Sequence, residues 1–489
     1  MNASASIPRH VLIIASFGLV LLANTWFGET TYVGDGIGWD GRVYSELVTK
    51  FCHDPGEVFR TTQSYYLQRI LPSAVVATVL KLLYLPCDDA HIISAFRWYN
   101  FTLLMAGVYI WTLISRRMEF SQRGSWISAA LLFFSFPVQK QYIYFPINTD
   151  ATALFVSIAL FYCFLARRQK TLLLVSFVGA FCWPLAFFTG LVLAVWPLRL
   201  AKEQDLARPW LAAVATAGAI GYSLYCLLVL GVRPRPVYYV ALAPLSLAIT
   251  VLLLFGGFRS LLPPVAAIWD ETLTALKTIR MYVLLALACA LYAMLHFLGT
   301  GKDAGMIQHE VQQMAVQHLS MPGFSLLENI LYFGPVMFFA LYRWGAISRL
   351  ATGVGFGMFV VFSVSISELA LNSETRKALV FLPILVAYTV KAIEGAGLSR
   401  SLCVCTVILS LLFSKIWLLI NYFPGRNADP MSFPLRMFMA HVGYLDLTSY
   451  AVYGIATVLV GFGLPLYFPQ LIRSTRPIEV DKLDRLVEP

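Results

Sequence analysis

Long apolar runs recur along the whole chain, and short polar stretches separate them. A helix needs about 20 apolar residues to cross the hydrocarbon core of a membrane. The first run covers residues 8–28, and further crossings are predicted near 92–115, 125–138, 151–166, 171–198, 210–231, 237–258, 281–298, 327–342, 351–370, 377–394, 401–423 and 449–468. The pattern predicts an all-α polytopic membrane protein, a single integral membrane domain over residues 1–489 with about 12–14 transmembrane helices.

One of these runs, residues 171–198, contains Trp183-Pro184 near its middle and has basic clusters on both sides. A proline inside a helix removes a hydrogen bond and kinks or breaks the helix. Because the same side of the membrane is indicated at both ends, we expect a tight hairpin of two short helices. A single kinked span is the alternative.

The basic residues indicate which side of the membrane each polar stretch faces. Lys and Arg concentrate in cytoplasmic loops, and Arg9, Arg116-Arg117 and Arg167-Arg168 follow that rule if both termini are cytoplasmic. Four stretches are predicted to be external, on the periplasmic side: residues 29–90, 139–150, 299–326 and 424–448.

Composition supports a membrane protein and argues against a nucleic-acid-binding one. The chain has 489 residues, of which 59% are hydrophobic and 13% charged, whereas soluble domains carry about 25% charged residues. Its net charge of +10 comes from short clusters between apolar segments, which is the topology signal just described. The expected partners are therefore membrane lipids, and no nucleic acid.

The first external loop, residues 29–90, contains helical segments of its own. Residues 65–85 are apolar but interrupted by Arg69 and Lys81, which leaves too few uncharged residues to span the membrane. We expect a helix lying in the outer interface, with a true second span as the alternative. Cys52 and Cys87 both fall in this loop, where an oxidising compartment permits a disulfide, and the sequence leaves their pairing open.

The stretch from Gly34 to Tyr44 is the candidate active site. It holds two carboxylates, Asp35 and Asp40, among four glycines, and glycine lets the backbone approach a ligand closely. The loop that follows is too aromatic for a disordered segment.

Further charged residues are predicted on the same external side: Arg60, Arg69, Asp150, Glu374 and Arg376. A carboxylate beside an arginine suits group transfer, because the carboxylate accepts a hydroxyl proton and the guanidinium holds a departing phosphate. His309 and His318 are predicted to be surface residues, because their spacing does not bring them together on a helix.

Three motifs are distinctive: Trp39-Asp40-Gly41-Arg42-Val43-Tyr44, Tyr66-Leu67-Gln68-Arg69-Ile70-Leu71-Pro72, and Pro146-Ile147-Asn148-Thr149-Asp150 at the head of an apolar helix. They resemble motifs of bacterial integral-membrane glycosyltransferases of the GT-C superfamily, which implies a location in a bacterial inner (cytoplasmic) membrane. The resemblance covers mainly residues 1–200. The first loop lacks the tandem Asp-Asp or Asp-Glu of protein mannosyltransferases.

The resemblance implies a GT-C-like helical bundle with interfacial helices in the first external loop. It implies transfer of a hexosyl or pentosyl group from a polyprenyl-phosphate donor to a glycan, lipid or protein acceptor of the cell envelope, with inversion if a single displacement occurs. The implied roles are Asp40 or Asp35 as base, Arg69, Arg376 and Arg60 as donor-phosphate ligands, and Asp150, Tyr44, Trp39 and Glu374 as acceptor or sugar ligands. No cofactor is required, although Asp150 with Asp40 offers oxygen ligands to Mg²⁺ or Mn²⁺.

Two other functions remain open from the sequence. An oligosaccharide polymerase or ligase would use the same external arginines on a lipid pyrophosphate. A transporter or flippase would require charged residues within its spans, for which Arg97, Lys415 and Glu368 are the candidates.

Overall fold

Regular structure is helical throughout the part of the chain that the computed structural model describes. The described residues are 8–198, 209–232, 242–263, 265–298, 312–313, 315–372, 374–422, 429–440 and 445–472. The helices of ten residues or more are Arg9–Phe27, Gly41–His53, Leu71–Leu82, Asp89–Arg117, Gln122–Phe133, Asp150–Leu165, Gln169–Gly179, Pro184–Val195, Pro209–Leu228, Ala243–Leu261, Val265–Leu276, Ile279–Leu298, Phe324–Phe333, Pro335–Val354, Phe356–Leu371, Leu382–Glu394, Arg400–Phe413 and Leu447–Tyr467. The all-α polytopic class is confirmed.

The predicted count of about 12–14 spans stays a prediction, because several of the apolar helices in the described residues are short or broken. Four helices are long and apolar enough to cross a membrane, or six if each of two bent pairs counts as one span. The pairs are Val265–Leu276 with Ile279–Met294, bent by 77°, and Phe324–Phe333 with Pro335–Val354, bent by 116°. Hydropathy does not register such breaks: at the second one, Gly334 has φ +72°, and Pro335 cannot continue the preceding helix.

The predicted hairpin over residues 171–198 is confirmed as helices Gln169–Gly179 and Pro184–Val195. The two helices pack closely because Gly190 has no side chain, since a Cβ there would lie 2.0 Å from Ser176 Oγ. The turn between them carries Trp183, which precedes Pro184 and is extended, with φ −161° and ψ 106°. Residues before proline favour that conformation.

The first loop has a small hydrophobic core of its own, which includes Tyr44, Leu67 and Leu80. A disulfide between Cys52 and Cys87 closes it, so the pairing that the sequence left open is present. The helix Leu71–Leu82 contributes Leu80 to this core. Its position at a membrane interface stays a prediction.

Residues 139–150, predicted as an external loop, lie largely inside the protein. The segment begins in a π-helical turn, Pro137–Gln141, in which Gln139, Lys140 and Gln141 are all buried. Burial of Lys140 demands a partner, because an unpaired charge in an apolar interior is costly.

That partner is Glu29, at the end of the first helix. Lys140 Nζ donates to Glu29 Oε2 at 2.8 Å and to the Leu418 carbonyl at 2.5 Å. Glu29 also accepts from the backbone N–H groups of Ile420, at 2.9 Å, and Asn421, at 2.8 Å. One carboxylate therefore joins the first helix, the 137–141 turn and the late 418–421 segment.

Two residues considered for a transporter are bonded to backbone carbonyls. Arg97 donates to the carbonyls of Thr25 and Gly28, close to the C-terminal end of the first helix. Lys415 donates to the Met437 carbonyl at 2.6 Å. Each of these hydrogen bonds connects two segments that are distant in sequence, so both charged side chains have a structural role.

His318 is not a surface residue, contrary to prediction, because only 1% of it is exposed. Burial lowers the pKa of His318 to about 4, so the imidazole is neutral at physiological pH. His309 lies outside the described residues.

Replacing Lys140 with Met should lower the free energy of unfolding by roughly 3–5 kcal/mol, because it leaves the buried Glu29 carboxylate without its cation. The double variant Glu29→Gln/Lys140→Met should regain part of that loss. Denaturant titration in detergent measures both.

Arg42→Ala is the matched control. It breaks the exposed Arg42–Glu46 pair and should change stability by less than about 0.5 kcal/mol. Equal losses of stability in Arg42→Ala and Lys140→Met would contradict the conclusion that the buried Glu29–Lys140 pair stabilises the fold.

Candidate active site

A pocket of ≈ 380 Å³ lies where the first loop meets three later segments of the chain. Its walls come from residues 37–41, from Gln141 to Asn148, from Glu374 and Arg376, and from the late residues Pro430 and Met439. The candidate stretch of the first loop thus forms one wall of the pocket.

The first-loop wall depends on left-handed backbone. Gly34 and Asp35 have φ values of +57° and +52°, and Gly38 has +76°. A Cβ on Gly38 would lie 2.8 Å from the Phe145 ring, so glycine permits both the turn and its close contact with the 141–148 wall. Trp39 packs on the same ring, with centroids 5.7 Å apart.

Asp40 immediately precedes the helix Gly41–His53 but does not cap it. Aspartate at this position usually accepts from the backbone N–H groups of the first turn, yet the side chain of Asp40 makes no such bond. Its Oδ2 instead accepts from Arg376 Nη1 at 3.0 Å, across 336 positions of sequence. The N-terminus of this helix therefore has no side-chain cap, and the Asp40 carboxylate lines the pocket.

The Arg376 guanidinium holds the pKa of Asp40 below its usual value, against the opposing effect of burial. Asp40 is therefore a carboxylate at neutral pH. Its side chain is 52% exposed, so a molecule in the pocket can reach it.

Arg376 lies among three carboxylates: Asp40, Asp150 and Glu374 all interact with it electrostatically. Burial favours the neutral form of Glu374, but Lys377, at 2.8 Å, and Arg376 together lower the pKa of Glu374 below its usual value. Arg376 is thus the central cation of the site.

Asp150 is fully buried, and neither oxygen of its carboxylate has a hydrogen-bond partner among the described residues. It begins the helix Asp150–Leu165, whose N-terminal dipole favours a negative charge. Asn100 holds the segment just before it by donating to the Pro146 carbonyl at 2.9 Å. Burial raises the pKa of Asp150, and the charges of Arg376 and Arg69 oppose that shift.

Arg69 contacts two aromatic rings. Its guanidinium carbon is 4.5 Å from the centroid of Tyr65 and 4.4 Å from that of Trp183. The charge of Arg69 acts on Asp40 as well as Asp150, so two arginines and two carboxylates share one region. Tyr44 is buried beside them and packs edge-on against Tyr66 at 6.0 Å.

Two of the predicted site residues lie elsewhere. Arg60 forms an exposed ion pair with Asp54 at 2.5 Å. Asp35 is exposed and does not line the pocket. The structure therefore brings Asp40 together with Arg376, Arg69, Asp150, Glu374 and Trp39, and leaves Asp35 and Arg60 outside that group.

Sequence reasoning missed Gln141, Asn148 and Trp183. Gln141 and Asn148 line the pocket, and neither carried a signal beyond lying near Asp150. Trp183 was visible as a Trp-Pro pair between two short helices, but nothing local indicated that the turn reaches Arg69.

Oxygen ligands for a divalent cation are available in part. Asp40 and Asp150 carry the oxygen donors that hard cations prefer, and the Asp150 oxygens lack other partners. No group of three or more His, Cys, Asp or Glu side chains arranged for a metal ion occurs in the described ranges.

No model of a known protein family matches this sequence, and no curated protein matches it. Three similar solved structures are oligosaccharyltransferases of Archaeoglobus fulgidus. The archaeal oligosaccharyltransferase AglB in complex with an inhibitory peptide and a dolichol-phosphate is 13% identical over 96% of this chain and 60% of that one, with a TM-score of 0.44. The apo form is 14% identical over 97% and 61%, with a TM-score of 0.46. The complex with Zn and sulfate is 13% identical over 95% and 57%, with a TM-score of 0.41.

The chain spans about three fifths of the length of these structures.

Asp40→Asn should make the protein less stable at neutral pH by less than about 1 kcal/mol, since the pair with Arg376 is half exposed. Because folding lowers the pKa of Asp40, the pair stabilises the fold above the ordinary aspartate pKa of 3.8. This contribution disappears as the pH falls through the folded-state pKa. Stability curves of the two proteins between pH 7 and pH 2.5 should therefore converge at the acid end, and parallel curves would contradict the pairing.

Proposed function

We propose that this protein is a GT-C-type glycosyltransferase that moves a sugar from a polyprenyl-phosphate donor to a hydroxyl-bearing acceptor of the cell envelope, with inversion at the anomeric carbon. The observation that carries this proposal is the Asp40–Arg376 pair at the wall of the pocket, with Arg69 and Asp150 close enough for their charges to interact. A carboxylate and two arginines in one place suit the transfer of a group away from a phosphate.

In the proposed reaction, an acceptor hydroxyl attacks the anomeric carbon of the donor sugar. The bond from the acceptor oxygen to that carbon forms as the bond from the carbon to the phosphate oxygen breaks. The electron pair of the broken bond stays on the phosphate oxygen, and the acceptor's proton passes to Asp40. The products are the glycosylated acceptor and a polyprenyl phosphate.

Asp40 is a weak base, because Arg376 lowers its pKa. Weak basicity is sufficient here, since glycosyl transfer passes through an oxocarbenium-like transition state in which the attacking hydroxyl becomes strongly acidic as its new bond forms. What the carboxylate needs is to be ionised and accessible, and Asp40 is both.

The leaving phosphate requires positive charge rather than a proton. Arg376 and Arg69 would supply it, because guanidinium groups bind phosphate through two parallel N–H bonds. Glu374, whose charge is balanced by Lys377, and Trp39 would contact the sugar or the acceptor from the pocket wall.

A divalent cation would be held by Asp40 and the unpartnered oxygens of Asp150. When bound, it would supply further positive charge to the departing phosphate. The roles proposed for Asp40, Arg69 and Arg376 do not depend on it.

A transfer assay in nanodiscs tests the proposal with radiolabelled polyprenyl-phosphate sugars, dolichyl carriers among them, and envelope extract as acceptor. Asp40→Asn should lower the transfer rate by about 10²–10⁴-fold, the range typical of losing a general base. Arg376→Lys should weaken donor use, because lysine cannot make the bidentate contact. Parallel reactions with EDTA and with added Mg²⁺ or Mn²⁺ measure the contribution of a cation.

Asp54→Asn is the matched control. Asp54 is a half-exposed carboxylate of the same loop, paired with an arginine, but it does not line the pocket. Its rate should stay within about twofold of wild type, as expected for an exposed pair. Transfer only from lipid-pyrophosphate glycans would favour a polymerase or ligase, and substrate movement across proteoliposomes without transfer would favour a flippase.

We infer that the pocket faces the periplasm. The Cys52–Cys87 disulfide lies in the loop that supplies Asp40, and disulfides persist in oxidising compartments.

A membrane-impermeant phosphine added to intact cells should therefore reduce this disulfide, so that Cys52 and Cys87 become alkylated and are detected by mass spectrometry. Buried Cys182 serves as the control and should stay unlabelled. Reduction only after permeabilisation would place the pocket on the cytoplasmic side.

A further inference from the structure

Two aromatic rings contact the Arg69 guanidinium. Its carbon lies 4.5 Å from the ring centroid of Tyr65 and 4.4 Å from that of Trp183. Only 7% of Arg69 and 2% of Trp183 are exposed. Tyr65 is a neighbour in sequence, whereas Trp183 arrives from a different part of the fold, the turn of the helical hairpin.

The backbone holds Trp183 in place from two sides. Pro184 keeps it extended, and its own N–H donates to the Gly179 carbonyl at 2.7 Å. The hairpin turn is also joined to the Arg69 segment, because the Leu71 N–H donates to the Phe181 carbonyl at 3.0 Å. Trp183 and Arg69 therefore belong to two segments that are hydrogen-bonded to each other.

Contact with two rings restricts how the guanidinium can act. A planar guanidinium binds rings through its faces and anions through its N–H edge. The N–H edge is therefore the part of Arg69 that can bind an anion. One donor of that edge, Nε, is buried and has no hydrogen-bond partner in the described parts of the chain.

We propose that Trp183 is a positioning residue for Arg69: its ring fixes the plane of the guanidinium, so that the N–H edge meets the departing phosphate of the lipid donor. This role rests on the glycosyl transfer proposed above. It assigns a function to the turn between helices Gln169–Gly179 and Pro184–Val195, which supplies no residue to the pocket wall.

Steady-state kinetics on the lipid donor test this role with Trp183→Leu and Trp183→Phe. Leu removes the π face, and we expect kcat/KM for the donor to fall about tenfold, within the range of a buried cation–π contact. Phe keeps a ring and should recover most of that loss. Trp196→Leu is the matched control, because Trp196 lies at the other end of the same helix and packs edge-on against Phe356 at 5.1 Å.

The double variant Arg69→Lys/Trp183→Leu separates positioning from general packing. If Trp183 acts through Arg69, the double variant should be no slower than Arg69→Lys alone. Independent, multiplying losses would overturn the proposal, and so would equal losses in Trp183→Leu and Trp196→Leu.

A second measurement does not depend on catalysis. Phenylglyoxal modifies arginine, and mass spectrometry reports the rate at each site. Arg69 should react slowly in the wild type and in Trp183→Phe, and several-fold faster in Trp183→Leu. Arg97, whose guanidinium is held by carbonyls of the first helix, should keep its rate.

The kinetic assay and the phenylglyoxal rates test different claims, so the proposed function and the positioning role can be refuted independently. Absence of transfer in the wild type would defeat the proposed function while the phenylglyoxal rates still report the stacking. An Arg69 rate unchanged by Trp183→Leu would overturn the positioning role even in an active enzyme.

Discussion

A charged side chain enclosed by apolar helices must find its counterpart inside the protein, because water is not there to solvate it. This constraint accounts for the contacts that organise the molecule. Lys140 reaches Glu29, Arg97 binds carbonyls of the first helix, and Arg376 meets Asp40. Each contact joins segments far apart in sequence. The pocket exists because these compensations draw the first loop, the 137–150 segment and the late loops to one place.

The two aspartates of the candidate site differ in what surrounds them. Asp40 is half exposed and paired with Arg376, so it is ionised and accessible. Asp150 is fully buried, and its oxygens lack partners among the described residues. A buried carboxyl group without hydrogen bonds is costly, and such groups cluster at functional sites. The two aspartates therefore differ in access: Asp40 can be reached from the pocket, and Asp150 is enclosed by the protein.

The two arginines are also held in different ways. Arg376 is surrounded by carboxylates, which compensate its charge but leave it on the pocket wall. Arg69 contacts two aromatic rings, which do not neutralise its charge. In the proposed transfer, a phosphate leaving group would benefit from both arrangements, because one cation is accessible at the pocket and the other would be held in direction.

Local pattern determined the helical class and the hairpin at Trp183-Pro184, and it selected Asp40 and Arg376 as candidates, because apolar run length, proline and charges beside apolar runs are read from neighbouring residues. It does not show where a span is broken, since a Gly-Pro break such as Gly334-Pro335 leaves hydropathy unchanged while bending the chain. Only the tertiary structure paired Asp40 with Arg376 and left Asp35 and Arg60 outside the pocket. It alone brought Trp183 to Arg69, since contacts across more than a hundred residues follow from how helices pack and how buried charges are compensated, which no local pattern encodes.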